Sequence, residues 1–218
     1  GPEFNLERRG WRAEADPADK PALEWDSLAE HLALIEQQGI GTNYITQSGH
    51  NTIRRRVMGL VPDEPTPEQL DQMRALLRQS IEEGAVAFTT GLEYVPGRYT
   101  RLPELVALAQ EAARLDAFYA THLRSEGDGL VESVQEALEI GRQAGIPVQL
   151  SHHKAEGREN WGLVERTLEM VEQARRQGLD VSLDQYPYTA YMTGLGVVVL
   201  PPWVYDGGLE QMARRLRD

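Results

Sequence analysis

The sequence predicts an α/β fold in which crossover helices join the strands of a parallel sheet. Short apolar runs alternate with amphipathic helical runs five times, at intervals of roughly 30 to 40 residues, which is the length of one strand with its crossover helix. A glycine follows nearly every helical run, at the position where glycine commonly ends a helix. Two of the apolar runs end in histidines, His122 and His152, which are one such unit apart.

This alternation fits an open doubly wound sheet and a (β/α)8 barrel equally well. Neither of the glycine-rich phosphate-binding motifs, G-x-G-x-x-G and G-x-x-x-x-G-K-[ST], opens a helix, so nucleotide binding has no support. We favour a partial TIM-like (β/α) barrel. Five units cannot close an eight-stranded barrel, so the remaining strands are expected to lie outside this sequence or to come from a partner.

Local signals place each element in turn. Thr66 stands before a proline at the first helical position, and Gln69 occupies the capping-box position, which is a strong helix start. Leu105, Leu108 and Ala112 lie on one stripe of a later helix. The predicted helices span residues 23–38, 67–83, 103–115, 129–144 and 161–177, and the predicted strands span residues 42–47, 85–90, 118–122, 147–152 and 180–185.

The chain divides into four predicted segments. Residues 1–4 look like a cloning remnant, and residues 5–22 form a leading loop without a convincing period. Residues 23–186 make up the partial barrel. Residues 187–218 mix Tyr, Pro and Gly and are predicted to form a lid or insertion over the barrel mouth. We interpret the whole chain as an internal piece of a larger protein.

Composition narrows the classes of partner. The 218 residues carry a formal net charge of -12, which argues against nucleic acid and against anionic membranes, since both require a basic surface. No apolar run approaches the roughly 20 residues that span a bilayer. The absence of cysteine excludes disulfides and thiolate metal ligands from this chain and suits a cytoplasmic origin. The five histidines and the carboxylates must therefore carry any metal chemistry.

His122 and His152 are candidate metal ligands. They follow neighbouring parallel strands, whose carboxyl ends lie under about 5 Å apart, so both imidazoles can reach one ion. Alternatively, each histidine caps its strand by hydrogen bonding to a loop. His153 alternates with His152 along the strand and should point to the other face. His50 either orients a substrate or braces its loop, and we favour bracing.

Charged residues beside the two histidines are candidate substrate contacts. Lys154 should lie on the same side as His152, where its ammonium group can hold a substrate carboxylate or form a salt bridge with Glu156. Arg124, just after His122, is also a candidate for substrate binding, although it could simply pair with Glu126.

Tyrosines and a glutamate complete the predicted rim of the site. Glu93 and Tyr94 lie in the loop after an earlier strand and face the same mouth. Tyr186 and Tyr188 follow the last strand. A tyrosine hydroxyl can donate to a developing oxyanion, but the Tyr-Pro-Tyr sequence can also form a packing corner.

Six local motifs become specific when they are taken together: GHNTIRRRVMG, GAVAFTTGLEYVPGRYT, YATHLRSEG, VQLSHHKAEGRENWG, LDQYPYTA and LPPWVYDGG. In order and approximate spacing they resemble the N-acyl-D-amino-acid deacylases, the D-aminoacylase branch of the amidohydrolase superfamily. The resemblance implies a zinc-dependent TIM-like barrel, holding one or two zinc ions, that hydrolyses the amide bond of a small N-acyl-D-amino acid. The five units would correspond to strands 3 to 7, and the family's small β-sandwich has no counterpart in this sequence.

The resemblance also assigns roles to particular residues. His122 matches the family's histidine ligand on the fifth strand, and His152 matches the ligand on the sixth. Lys154 matches a lysine beside the substrate. Either Tyr186 or Tyr188 matches a tyrosine that lines the substrate pocket, and the sequence does not decide between the two.

Other functional residues of the family have no counterpart in this chain. These are the His-x-His pair of the first strand, the metal-binding cysteine and the general-base aspartate, which is expected beyond residue 218. The resemblance therefore assigns no catalytic residue here, and the chain by itself is expected to be inactive and to bind zinc weakly. Tyr191 and Met192 replace residues that are often small in the family, which affects the expected substrate preference.

The sequence leaves two other interpretations open. A dihydroorotase-like or hydantoinase-like cyclic amidase usually carries a carboxylated lysine on the fourth strand, but the corresponding run AVAFTTG contains none. A non-catalytic assembly or binding fragment would use the histidines only as strand caps. Because strands cut from a barrel expose apolar sheet edges, we expect either a homodimer through those edges or marginal stability.

Overall fold

The computed structural model describes residues 26–217, in which five strands form one parallel sheet with the sequential order β1-β2-β3-β4-β5. The strands are β1 (Ser48–Gly49), β2 (Ala87–Gly91), β3 (Phe118–His122), β4 (Val148–Leu150) and β5 (Val181–Leu183). The helices are α1 (Leu28–Gln38), α2 (His50–Met58), α3 (Pro67–Glu82), α4 (Leu102–Ala113), α5 (Leu130–Ala144), α6 (Leu163–Arg176), α7 (Leu195–Val199) and α8 (Leu209–Arg215). The predicted cloning remnant, the leading loop and the predicted helix start at residues 23–25 lie outside the described residues.

The strand order confirms the predicted partial barrel. Each strand pairs with the next one along the chain, without the reversal of order that marks a doubly wound sheet. The register aligns the carboxyl ends of the strands, since Gly91 pairs with His122 and Leu150 pairs with both Thr121 and Leu183. Side chains that follow β2, β3, β4 and β5 therefore meet at one edge of the sheet.

The helix ends follow the signals in the sequence. Thr66 and Gln69 form the predicted reciprocal capping box at the start of α3. Gly145 follows α5 with a positive φ of 65°, a backbone conformation that most residues with a side chain disfavour. A second capping box, formed by Ser27 and Glu30, starts α1.

The prediction for the first strand was wrong in position. The β-type run at residues 42–47 is not a strand; β1 consists of Ser48–Gly49 alone, and Ile45 in the predicted run is 73% exposed. His50, predicted to lie in a loop, instead begins α2. The run of three arginines at residues 54–56 gives this helix no clear apolar face in the sequence. Ile53 and Arg54 are nevertheless buried in the structure.

The core lies between the sheet and the helices that cover it. Consecutive helices from α3 to α6 pack against each other as well as onto the strands. The largest fully buried apolar side chains are Met73, Leu77, Phe88, Leu105, Leu108, Tyr119, Leu123, Leu130, Leu138, Ile140 and Ile146.

A buried ionic network joins α2 to α4. The imidazole Nε2 of His50 lies 2.7 Å from Glu104 Oε1, and Arg54 Nε lies 3.3 Å from the same carboxylate oxygen. The Arg54 guanidinium also donates to the carbonyls of Val61 (3.0 Å) and Asp63 (2.6 Å). His50 thus braces the fold, as favoured from the sequence, and its ring is fully buried.

A long-range cap holds α1 to the barrel. Glu83 Oε2 accepts hydrogen bonds from the backbone N–H groups of Leu28 (2.8 Å) and Ala29 (3.1 Å), which are unpaired within α1. We expect Glu83→Ala to destabilise the docked α1 by about 1 kcal/mol, as the loss of a cap does. Hydrogen exchange of the α1 amides measures this effect. The neighbouring exposed Glu82→Ala is the control, and equal exchange rates in the two variants would contradict the assignment.

The last segment, residues 187–217, forms only short helices, among them α7 and α8. Its predicted role as a lid stays a prediction. Across residues 26–217, no helix has the length and apolar character needed to cross a bilayer.

Candidate metal centre

The carboxyl ends of three neighbouring strands place the candidate site. His122 is the last residue of β3, and Glu93 follows the end of β2, whose Gly91 pairs with His122. His152 lies two residues beyond β4. The barrel register thus brings together side chains that are about 30 residues apart in sequence.

The two predicted imidazoles lie side by side. His122 Nδ1 and His152 Nε2 are 3.0 Å apart, and the ring centroids are 4.7 Å apart. Their juxtaposition, predicted from the spacing of the strands, is therefore present, whereas their role as metal ligands stays a prediction.

The backbone of His152 is unusual for a residue with a side chain. His152 has a positive φ of 41° in the turn that follows β4. Its N–H donates to Asp184 Oδ1 (2.7 Å), and the N–H of His153 donates to the Asp184 carbonyl (2.8 Å). Two hydrogen bonds to Asp184, the residue after β5, thus hold the turn in place. A strained conformation that the surroundings maintain is a feature often found at functional sites.

Two glutamates contact the outer nitrogens of these imidazoles. Glu93 Oε2 lies 2.8 Å from His122 Nε2, and Glu126 Oε1 lies 3.0 Å from His152 Nδ1. Glu126 was not identified as part of a site from the sequence, and its side chain is only 5% exposed. Burial raises the pKa of the Glu126 carboxyl, but hydrogen bonds from His152 and Lys154 outweigh this effect and hold the pKa below its ordinary value.

Lys154 lies inside the same cluster. Its ammonium group pairs with the Glu126 carboxylate and donates to the His152 carbonyl at 3.1 Å. The pair with Glu156 that the sequence suggested is not formed. The aromatic rings of Tyr186 and Tyr191 lie 5.4 and 5.8 Å from the ammonium nitrogen.

The two candidate tyrosines differ in environment. The Tyr186 hydroxyl is buried and has no hydrogen-bond partner among residues 26–217, so it is free to bond to a ligand. Tyr188 is 74% exposed. The geometry therefore favours Tyr186 over Tyr188 as the pocket tyrosine, and both assignments stay predictions.

Arg124 lies beside the site but is directed toward other groups. Its guanidinium makes two hydrogen bonds of 2.9 Å to Glu136 and also donates to the carbonyls of Arg98 (3.0 Å) and Thr100 (2.9 Å). The pair with Glu126 considered from the sequence is not formed. Arg124 braces the loop after β2 against α5, and its predicted contact with substrate stays a prediction.

His153 points away from the cluster, as the sequence predicted. Its Nε2 lies 3.0 Å from Thr167 Oγ1 on α6, and the residue is buried. Burial lowers the pKa of the His153 imidazole, because the charged form is poorly solvated there.

The residues present fit a metal ion. His122, Glu126 and His152 have potential ligand atoms that all lie within 4.8 Å of one another. In a tetrahedral zinc site, bonds of about 2.0–2.1 Å place two nitrogens about 3.3 Å apart. The 3.0 Å between His122 Nδ1 and His152 Nε2 differs from that separation by only a few tenths of an ångström.

Comparison with known proteins adds to this geometry. No protein-family model matches the chain. The chain is 37% identical over 166 residues to an N-acyl-D-glutamate deacylase of Alcaligenes xylosoxydans xylosoxydans, a match that covers 76% of this chain and 34% of that protein. The chain spans about a third of the length of the curated relatives it matches.

Two solved structures are similar in fold. One is the N-acyl-D-glutamate deacylase of Bordetella bronchiseptica in complex with zinc and a phosphonate inhibitor that mimics the tetrahedral intermediate; it is 37% identical, with a TM-score of 0.71 over 74% of this chain and 34% of that chain. The other is a D-aminoacylase studied for its binuclear metal centre; it is 32% identical, with a TM-score of 0.71 over the same shares of the two chains.

Proposed function

We propose that this chain, a relative of the N-acyl-D-amino-acid deacylases over about a third of their length, supplies metal-binding and substrate-binding residues of a zinc-dependent amidohydrolase. The reaction is hydrolysis of the amide bond of an N-acyl-D-amino acid to a carboxylate and a free D-amino acid. The observation that carries the proposal is the pair of imidazole nitrogens, His122 Nδ1 and His152 Nε2, 3.0 Å apart at the carboxyl edge of a parallel sheet.

In this proposal, His122 and His152 hold zinc. When bound, zinc supplies Lewis acidity toward the amide carbonyl and the attacking water. Lys154 lies beside the imidazoles and can attract the substrate carboxylate once the ligand competes with Glu126 for its ammonium group. The Tyr186 hydroxyl, buried without a partner among the described residues, can donate a hydrogen bond to the substrate.

The chain by itself is proposed to be inactive. No residue here matches the family's general-base aspartate, and the sequence contains no cysteine to match the metal-binding one. Two imidazoles without the remaining ligands should hold zinc only weakly, because a zinc site ordinarily uses three or four protein ligands. Turnover of an N-acyl-D-amino acid by the 218-residue chain at the rate of the full-length protein would contradict this statement.

The test of the function is a substrate screen of the full-length protein against matched N-acyl-D- and N-acyl-L-amino acids. We expect hydrolysis of the D-series only, loss of activity after treatment with a chelator, and recovery on addition of zinc. Activity that survives complete removal of metal, or that prefers the L-series, would refute the proposal.

Two further features belong to the same proposal. Within the described residues, β1 pairs only with β2 and β5 only with β4, so each presents one open edge through which a homodimer can form. Light scattering after size-exclusion chromatography measures the mass of the particle, and a purely monomeric chain would exclude the dimer. The cytoplasmic location suggested by the composition stays a prediction, which fractionation of the source cells would test.

A further inference from the structure

Each imidazole of the candidate centre has one nitrogen facing a carboxylate and one facing the other ring. His122 faces Glu93 through Nε2 (2.8 Å), and His152 faces Glu126 through Nδ1 (3.0 Å). The two inner nitrogens are thus different atoms, Nδ1 of His122 and Nε2 of His152. A neutral imidazole has one N–H and one lone pair, so the group that accepts the N–H decides which nitrogen can bind a metal.

We propose that Glu93 and Glu126 are positioning residues that hold His122 and His152 in opposite tautomers, which turns the lone pairs of His122 Nδ1 and His152 Nε2 toward one cation. This inference rests on the proposed function, since it concerns the same pair of imidazoles. A carboxylate that accepts the outer N–H of a metal-binding histidine fixes the orientation of the ring and raises its basicity.

Glu126 fits this positioning role better than the role of a direct ligand. One of its oxygens contacts His152 Nδ1, on the part of the ring that faces away from His122, and its carboxylate also pairs with the Lys154 ammonium group. Each carboxylate oxygen thus already has a partner on the outer side of the His152 ring, away from the space between the two imidazoles. One carboxylate thereby orients a metal-binding ring and a substrate-binding cation together.

Lys154 Nζ also lies 3.1 Å from His152 Nδ1, and an ammonium group there would favour a lone pair on that nitrogen. The contacts of Lys154 and Glu126 instead favour a hydrogen on His152 Nδ1. Lys154 has two other acceptors, the Glu126 carboxylate and the His152 carbonyl, whereas a lone pair on Nδ1 would face the Glu126 oxygen at 3.0 Å. We therefore place the hydrogen on Nδ1.

The loops that carry the two glutamates are held by contacts of their own. Asn51 Nδ2 donates to the Gly91 carbonyl (3.1 Å) at the start of the loop that contains Glu93. The Glu126 carbonyl accepts from the Glu156 N–H at 2.7 Å. These hydrogen bonds hold the backbone of the loops from which both carboxylates project.

The test is NMR of the chain with ¹⁵N-labelled histidine, recorded with and without zinc. We expect a hydrogen on Nε2 of His122 and on Nδ1 of His152 in both states, and coordination of zinc through the other nitrogen of each ring. Competition with a chromophoric chelator gives the zinc affinity. Glu93→Ala and Glu126→Ala should each lower that affinity roughly 10- to 100-fold and release the ring that the missing carboxylate held.

Two variants separate positioning from other effects. Glu126→Gln keeps an acceptor for His152 Nδ1 and should retain the tautomer and most of the zinc affinity. Glu132→Gln makes the same charge change at an exposed position of α5 that has no described contact with either ring, so the zinc affinity should stay within about twofold of that of the unmodified chain, because solvent and salt screen the charge.

Three results would overturn the inference. The first is a lone pair on His152 Nδ1 or on His122 Nε2. The second is an unchanged tautomer and zinc affinity in both alanine variants. The third is a Glu126→Gln variant that loses zinc as fully as His152→Ala, since Glu126 would then be a ligand. A full-length protein that binds no zinc, with the expected tautomers still present in the chain, would instead refute the proposed function and leave this inference standing.

Discussion

Replacement of His152 by alanine in the full-length protein is expected to lower its zinc affinity on the order of 100-fold, since a ligand contributes roughly 3 kcal/mol when the free energy of a four-ligand zinc site is divided evenly. The adjacent His153 is the matched control. Its ring points to Thr167 on α6 and has no contact with the cluster, so His153→Ala should change the affinity by less than about threefold, as expected for a residue outside the ligand set and its partners.

The backbone of His152 requires one more variant. Alanine at a positive φ of 41° is strained, and that strain alone could displace the turn. His152→Gly removes the same imidazole and tolerates this conformation. We expect the alanine and glycine variants to lose zinc equally, as measured by competition with a chelator. If His153→Ala loses as much zinc as the two His152 variants, the imidazole of His152 is not a specific ligand.

Replacement of Glu104 by alanine is expected to lower the free energy of unfolding by about 3–5 kcal/mol, the usual cost of removing one partner from a buried ion pair. Glu104 neutralises the fully buried Arg54 and contacts the fully buried His50. Without Glu104, Arg54 is left as a charge in the core whose described contacts are two backbone carbonyls.

Glu111 provides a matched control on the same helix. It is also a buried glutamate, but its partners Arg78 and Arg114 have side chains that are 48% and 72% exposed. After Glu111→Ala both arginines remain solvated, so we expect a loss of about 1 kcal/mol, the upper range for exposed ion pairs. Urea denaturation of both variants measures the difference. Equal destabilisation would show that the burial of Arg54 does not dominate the cost.

The part of this fold that the sequence predicted depends on local periodicity. Apolar runs, helix caps and glycine stops placed four of the five strands close to their observed positions. The same period placed His122 and His152 one unit apart, and the parallel register then required their side chains to meet. The strand positions and the meeting of the two histidines can be predicted from the length of the strand–helix repeat and the parallel direction of the strands alone.

The missed features depend on contacts between distant residues. Glu126 was paired with Arg124 from proximity in sequence, but the loop after β3 turns its carboxylate toward His152, 26 residues further along the chain. Glu104 resembles an ordinary acidic residue in the first turn of a helix, and its partner His50 lies 54 residues upstream. Loop conformation and tertiary packing decide such contacts, and periodicity does not report on either.

Diffraction at the zinc absorption edge, on crystals of the zinc-loaded chain, tests the central claim most directly. An anomalous peak between His122 Nδ1 and His152 Nε2, absent from crystals of the His152→Gly variant, is the predicted result. A zinc ion bound elsewhere on the chain, with these two nitrogens still in contact with each other, would contradict it.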